Sequence, residues 1–134
     1  RRGKVMINEN NYVDKAEEAI IKLRSKVNKK TGKTEQMVTT TKIRNLLSMT
    51  SDIYNEVLPL QNDKLSDELV GKIEYLRIRF VYEMGRESKV RDFAEQADIL
   101  QIIKEIHGSR KKYILFSRYM EALVAFHKFY GGKD

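Results

Sequence analysis

Apolar residues recur at steps of three and four along most of the chain, which is the spacing of one face of an α-helix. The clearest stripe lies near the C-terminal end and consists of Phe116, Met120, Leu123 and His127. Ser109 precedes this segment and is suited to the N-cap, because its hydroxyl can accept hydrogen bonds from the free amides of the first turn. Four further aromatic residues widen the stripe: Tyr113, Tyr119, Phe126 and Phe129. The pattern predicts a long helix against which more than one other helix packs.

The same spacing predicts four earlier helices, separated by glycine, proline or polar runs. They extend from Asn10 or Asn11 to about Lys29, from the threonines at 39–41 to the residues before Pro59, from Ser66 to Gly85, and from Ser88 to Gly108 with a kink at Asp98. Few segments show the strict alternation typical of a strand. The sequence therefore predicts an all-α fold, a compact bundle of about five helices.

Each of these four helices has a predicted inner face. The faces consist of Val13, Ala16, Ile20, Leu23 and Val27; of Ile43, Leu46, Leu47, Thr50, Ile53, Tyr54 and Val57; of Leu69, Ile73, Leu76, Phe80 and Met84; and of Val90, Phe93, Ala97, Leu100, Ile103 and Ile106. We expect one helical domain over residues 1–134, with an N-terminal arm over residues 1–10 and a flexible loop over residues 29–37.

Composition narrows the class of protein. A chain of 134 residues can bury a substantial core as one domain, and a formal charge of +7 favours an anionic partner. With no cysteine, the chain can form neither disulfides nor thiolate sites. No apolar run approaches the roughly 20 residues that span a bilayer, and the first residues lack the apolar core of a signal peptide. We expect a cytoplasmic protein without a membrane partner.

Nothing in the sequence indicates an enzyme, a metal site or a cofactor. The two histidines, His107 and His127, are far apart and belong to no metal-binding motif, and His127 lies on an apolar stripe that favours a core position. Residues 30–34, Lys-Thr-Gly-Lys-Thr, lack the spacing of a phosphate-binding loop and the strand that precedes one. No serine lies in a nucleophile motif. The sequence predicts no catalytic residue.

The basic residues carry more information. Between Lys22 and Arg44 the only acidic residue is Glu35, and Lys42 and Arg44 lie at the predicted start of the second helix, where free amides also favour anions. Lysine and arginine supply the donors that phosphate oxygens accept. For any single lysine, a solvated face is the better explanation. For the three arginines of the third helix, pairing with Glu74 or Glu83 explains them as well as anion binding does. The interleaved aromatic residues are better explained by the core than by base stacking. The pattern favours binding to the phosphate backbone of a nucleic acid, with little preference for the base sequence.

Three blocks of the sequence resemble one family. They are residues 40–47, TTKIRNLL; residues 75–86, YLRIRFVYEMGR; and residues 116–132, FSRYMEALVAFHKFYGG. All three are similar to the small subunit of the type III-A CRISPR effector, the Csm complex. The similarity extends over nearly the whole chain, except for the arm before Asn10 and the loop over residues 29–36.

The resemblance implies a non-catalytic subunit that is present in several copies and packs as a filament. Its partners would be CRISPR RNA and target RNA, the large polymerase-like subunit, the backbone subunits and further copies of itself. The catalytic activities of that family belong to the large and backbone subunits. This chain would line the channel that holds the RNA duplex by contacting phosphates. The residues predicted to bind RNA are Lys42, Arg44, Arg77, Arg79, Arg86, Arg118 and Lys128.

Two other classes of function remain open from the residues alone. The chain could be a self-associating helical adaptor whose charge is incidental, or a basic helical DNA-binding regulator. The junction at Gly108 and Ser109 imitates a helix-turn-helix, but the helix that follows is too aromatic to lie easily in a groove of DNA. Salt sensitivity distinguishes phosphate binding from apolar association, because the affinity for phosphate falls steeply at moderate salt and the affinity of an apolar contact does not.

Overall fold

The structure, a computed structural model, describes residues 6–26 and 30–134 and contains six α-helices in them. They are α1 (Tyr12–Arg24), α2 (Thr40–Val57), α3 (Asp67–Arg86), α4 (Ser88–Ala97), α5 (Ile99–Lys104) and α6 (Arg110–Phe129). Within those residues there is no β-strand, and an isolated bridge joins Lys64 to Ser109. The all-α prediction is confirmed. No helix of the described part of the chain is long and apolar enough to cross a bilayer.

The predicted fourth helix is divided in two at Asp98. The backbone of this residue is left-handed, with φ at 59°, and it separates α4 from α5. Aspartate is among the few residues other than glycine that adopt this conformation readily. The kink that the sequence predicted is therefore a complete break, which raises the helix count from about five to six.

The first helix is shorter than predicted and ends at Arg24. The Ser25 hydroxyl donates to the carbonyl of Ile21 at 2.8 Å, and the Lys26 carbonyl accepts from the amide of Glu35 at 2.8 Å. This second bond ties the backbone after α1 to the following loop, which ends the helix. The predicted extension to Lys29 is wrong as far as Lys26, and residues 27–29 lie outside the described residues, as do residues 1–5 of the arm.

The last helix is the centre of the bundle, as its sequence predicted. Tyr113, Phe116, Tyr119 and Leu123 are fully buried, and α6 packs against both α1 and α2. The Tyr113 hydroxyl donates to the carbonyl of Thr50 at 2.7 Å, and burial raises the pKa of this phenol. The Tyr119 hydroxyl donates to the carbonyl of Ala97 at 2.9 Å. Both buried phenols therefore have acceptors and tie α6 to other helices.

Helix α2 runs antiparallel to α6. At one end of the pair, the Arg110 guanidinium donates to the carbonyl of Val57 at 3.3 Å. At the other end, Nε2 of His127 donates to the carbonyl of Val38 at 2.6 Å. His127 is buried, which confirms its predicted core position.

Two residues predicted to face inward are exposed instead. Val13 is 46% exposed, because the buried arc of α1 is centred on Ala16, Ala19, Ile20 and Leu23 and Val13 lies at its margin. Phe129 is 76% exposed, because two residues advance a helix by about 200° and so place it on the far side from His127.

Candidate nucleic-acid interface

A groove of about 540 Å³ runs between α2 and α6. We call it the α2–α6 groove. It is lined by Leu47, Thr50, Ser51, Tyr54, Asn55, Ser117, Arg118, Met120, Glu121 and Val124. Apolar side chains alternate in this lining with hydroxyl, amide and charged groups. Hydroxyl and amide groups are suited to contacts with sugar and phosphate, which are largely independent of base identity.

A carboxylate lies among cations near the start of α2. The Lys128 ammonium donates to Oδ1 of Asp134 at 2.5 Å. This hydrogen bond lowers the pKa of Asp134, and the charge of Arg44 lowers it further. Arg44 itself is exposed and forms no ion pair with a described residue. We call these two cations the Arg44–Lys128 cluster, and in this structure an anionic side chain occupies it.

The residues after α6 cross the start of α2 as a strap, which we define as residues 131–134. The amide of Gly132 donates to the carbonyl of His127 at 2.7 Å, and the carbonyl of Lys133 accepts from the amide of Thr40 at 3.0 Å. A Cβ atom on Gly132 would overlap the imidazole of His127, so only glycine fits here. These contacts hold Asp134 beside the cluster.

Arg118 lies nearer the start of α6 than Lys128 and lines the α2–α6 groove. It is exposed and has no carboxylate within ion-pair distance among the described residues. Ten residues separate it from Lys128, which corresponds to about 15 Å along the helix axis. Four of the seven residues predicted to bind RNA belong to α2 and α6: Lys42, Arg44, Arg118 and Lys128.

Lys42 and Arg86 lie at a different place, the junction between α3 and α4. The Lys42 ammonium donates to Oε2 of Glu87 at 3.3 Å. Arg86 donates to Oε1 of Glu83 at 3.4 Å. Glu83 is buried, and its carboxylate pairs with the half-buried Arg79 and the exposed Arg86. This junction carries the second group of predicted contacts, and its charges are largely balanced.

The other two arginines of α3 are paired along the helix. Arg77 donates to Oε1 of Glu74 at 3.1 Å, and Arg79 donates to Oε2 of Glu83 at 3.0 Å. The Arg79 guanidinium also lies over the ring of Tyr82, 4.9 Å from its centroid. The alternative that the sequence left open for these arginines, pairing with Glu74 or Glu83, is the arrangement observed.

The basic stretch before α2 is also partly neutralised. The ammonium of Lys26 lies 2.9 Å from Oδ2 of Asp92 and 3.7 Å from Oε1 of Glu35, and the hydrogen bond to Asp92 raises the pKa of Lys26. Lys89 shares the same carboxylate oxygen of Glu35 at 3.6 Å. Asp92 and Lys89 belong to α4, so local sequence did not reveal these pairs.

Sequence reasoning missed one cluster at this end of the molecule. The Arg24 guanidinium lies over the ring of Tyr130 at 5.3 Å, and the Tyr130 hydroxyl donates to Oε2 of Glu17 at 2.7 Å. This bond raises the pKa of Tyr130. The exposed ring of Phe129 meets Tyr130 edge-on, with 5.0 Å between centroids. Only the surplus of aromatic residues in the last helix signalled such a surface.

The chain is similar to known proteins over most of its length. The family model described as Csm2 Type III-A matches residues 9–133. A protein described as CRISPR system Cms protein Csm2 from Streptococcus thermophilus is 46% identical over 129 residues, which cover 96% of this chain and 98% of that protein. Proteins of the same description are 42% identical in Mycobacterium tuberculosis (strain CDC 1551 / Oshkosh), over 72% of this chain and 78% of that protein, and 36% identical in Enterococcus italicus, over 69% and 68%. The chain therefore belongs to the Csm2 type III-A family and is a small subunit of the type III-A CRISPR effector, as the resemblance indicated.

Proposed function

We propose that this subunit holds the phosphate backbone of the CRISPR RNA paired to its target RNA, with the Arg44–Lys128 cluster and the α2–α6 groove as the contact surface. The observation that carries the proposal is the position of the Asp134 carboxylate. Lys128 binds this carboxylate, and the charge of Arg44 helps to lower its pKa. Carboxylate and phosphate oxygens accept from the same cationic donors. A phosphate of the RNA would replace Asp134 in this cluster.

The α2–α6 groove also supports a contact with the RNA backbone. Arg118 has no competing acidic partner among the described residues, so its guanidinium is available to a second phosphate. Ser51, Asn55 and Ser117 line the groove and offer neutral donors to sugar and phosphate oxygens. Because such contacts ignore base identity, the guide would select the sequence and the protein would hold the duplex.

The remaining predicted contacts form a secondary set. Lys42, Arg77, Arg79 and Arg86 each have a carboxylate partner in this structure. Surface ion pairs of this kind contribute about 0–1 kcal/mol, so an RNA phosphate could displace the partner of Lys42 or Arg86 at modest cost. Arg79 is the least available of the four, because it pairs with a buried carboxylate and covers Tyr82.

We further propose that the subunit is non-catalytic and acts in several copies beside the large and backbone subunits. Each copy offers only a few phosphate contacts. Strong binding would then come from the joint effect of adjacent copies rather than from one subunit alone. This arrangement is the filament packing that the resemblance implies.

The test is a charge reversal in the Arg44–Lys128 cluster. Arg44→Glu with Lys128→Glu should leave effector assembly intact and reduce target RNA capture, because two phosphate contacts become repulsive. The salt dependence of capture should become shallower by roughly one to two in log–log slope. Lys64→Glu with Lys104→Glu is the matched control, since both lysines are exposed and neither lines the groove. Copurification measures assembly, and filter binding over a salt series measures capture.

Two further variants sharpen the test. Asp134→Asn should increase RNA capture, because it removes the charge that occupies the cluster. Lys42→Glu with Arg44→Glu should reduce capture while assembly survives. Equal losses of RNA capture in the Arg44 and Lys128 variant and in the Lys64 and Lys104 control would contradict a local site. Unchanged capture in the Arg44 and Lys128 variant would contradict the proposal itself.

A further inference from the structure

Helix α3 carries a second apolar stripe on the side that faces solvent. Tyr75, Ile78, Val81 and Tyr82 are each between 52% and 60% exposed. Its buried stripe lies on the opposite side and consists of Leu69, Ile73, Leu76 and Phe80. A cluster of large apolar side chains on one exposed helix face is typical of a contact surface. We call the exposed side the outer stripe of α3.

The outer stripe has the period of packed helices. Residues 71, 75, 78, 82 and 85 follow one another at steps of four and three, which is the 3.5-residue repeat of a helix pair. Its two ends are Gly71 and Gly85, and a Cβ atom on either would meet nothing within 4 Å. Glycine weakens a helix interior, and no contact within the described chain requires it here. A second helix that approaches closely at both ends would require it.

The order of these residues is nearly the same in both directions. Starting from Ile78, a tyrosine and then a glycine follow on each side: Tyr75 and Gly71 towards the N-terminus, Tyr82 and Gly85 towards the C-terminus. A two-fold axis at Ile78 would therefore match the stripe to itself in an antiparallel pair. Gly71 of one copy would face Gly85 of the second copy, and Tyr75 of one copy would pack beside Tyr82 of the second. Such self-complementarity is the requirement of a two-fold interface.

The charges beside the stripe agree with the antiparallel arrangement. Arg86 shares the Glu83 carboxylate with Arg79, so it retains free donors. Glu68 is exposed and forms no ion pair in the described part of the chain. Along the axis, Arg86 lies about 12 Å beyond Ile78 and Glu68 about 15 Å before it. In the antiparallel pair, Arg86 of one copy and Glu68 of the other therefore lie at nearly the same level and on the same side of the helix pair.

Arg79 lies next to the two-fold axis, where two like charges would approach each other. The structure already compensates this charge. Its guanidinium donates to the buried Glu83 at 3.0 Å and rests on the ring of Tyr82. The Arg79–Glu83 pair therefore presents a neutral, partly aromatic surface at the centre of the stripe.

From these observations we propose that the outer stripe of α3 is the surface through which the free subunit forms an antiparallel two-fold dimer with a second copy of this chain. This contact goes beyond the proposed RNA binding, since it needs neither RNA nor other subunits. It also differs from open stacking of copies, because a two-fold interface closes on itself.

Sedimentation equilibrium of the isolated, RNA-free chain tests the proposal at concentrations up to about 100 μM, because a single-helix interface is small and binds weakly. We expect a monomer–dimer equilibrium for the natural chain. Ile78→Lys should raise the dimer Kd by at least about tenfold, because it would bury an unpaired charge. Ile21→Lys, on the exposed side of α1, is the control and should leave the Kd unchanged. A monomeric natural chain, or a loss of dimer in the Ile21 variant alone, would overturn the proposal.

Cysteine cross-linking tests the antiparallel geometry without background, since the chain has no cysteine. Ile78→Cys should form a disulfide-linked dimer on oxidation. Gly71→Cys and Gly85→Cys should cross-link when mixed but not when oxidised separately. If Ile78→Cys fails to cross-link, or if each glycine variant cross-links with itself, the antiparallel dimer is wrong. Neither result bears on RNA capture by the Arg44–Lys128 cluster, so the two proposals fail independently.

Discussion

At the scale of single residues, Gly132 decides whether the strap lies against the bundle. Because Gly132 has no side chain, its backbone can lie directly against the imidazole of His127. In this arrangement His127 donates to the carbonyl of Val38, and Asp134 reaches Lys128. The sequence predicted the core position of His127 from its place on an apolar stripe. Its partners Val38 and Gly132 come from different elements, so no local spacing could have identified them.

We therefore expect Gly132→Ala to displace the strap. Its methyl group would overlap the His127 ring, and overpacking of this kind costs about 1–3 kcal/mol. The melting temperature, followed by circular dichroism, should fall. Ser48→Ala is the control, because this exposed position of α2 gains alanine without a new contact and alanine favours a helix interior, which should leave the melting temperature equal or higher. Equal melting temperatures for Gly132→Ala and the natural chain would show that the strap is not tightly packed.

At the scale of helices, cap residues were more predictable than helix ends that depend on other elements. Ser66 and Ser109 cap their helices as expected, accepting from the amides of Leu69 and Lys112 at 3.2 Å each. The early end of α1 depends instead on the bond from the Glu35 amide to the Lys26 carbonyl. Periodicity locates apolar faces well, but it carries no information on such longer-range backbone bonds.

Helix α6 has a second anchor at its start, the carboxylate of Asp63. Its Oδ1 accepts from the amide of Lys111 at 2.9 Å and its Oδ2 from the hydroxyl of Ser109 at 2.9 Å. The bond from Lys111 and then that from Ser109 lower the pKa of Asp63 below its ordinary value of 3.8. A carboxylate with a lowered pKa stabilises the fold above its ordinary pKa, and the contribution disappears as the pH falls through the lowered value.

Asp63→Ala should therefore lower the melting temperature at neutral pH, and the difference from the natural chain should narrow as the pH falls below 3.8. Melting curves over a pH series provide the measurement. Asp52→Ala, which removes an exposed carboxylate of α2, should show no such narrowing. A pH-independent difference for Asp63→Ala would mean that the charge of the carboxylate does not contribute.

At the scale of the whole molecule, the composition predicted a basic helical domain, but not which of its cations would act on the same carboxylate. Arg44 and Lys128 are far apart in sequence, and both act on Asp134 because α2 and α6 are antiparallel neighbours. Conversely, Lys26 belongs to the basic stretch that the sequence singled out, but it is paired with Asp92 and Glu35. The candidate site thus depends on helix packing, which spacing within one helix does not determine.

The whole molecule should respond to salt in two ways. Binding of the isolated chain to an A-form RNA duplex should weaken steeply between about 50 and 200 mM salt, because bound cations displace counterions from phosphate. The dimer through the outer stripe of α3 should persist over the same range, since apolar contacts are not screened. Fluorescence anisotropy measures the first and sedimentation the second. Salt-insensitive RNA binding would contradict a phosphate contact.

The packing of α1 against α6 has a consequence for how the protein is made. The two helices are separated by about 90 residues, and the inner face of α1, with Ala16, Ala19, Ile20 and Leu23, is covered largely by α6. At synthesis rates of about 5–20 residues per second, α1 leaves the ribosome roughly 5–20 s before its partner exists. During that interval its apolar face is open to proteases and chaperones. The core therefore closes only when the last helix emerges, so an incompletely translated chain cannot form the bundle that the effector requires.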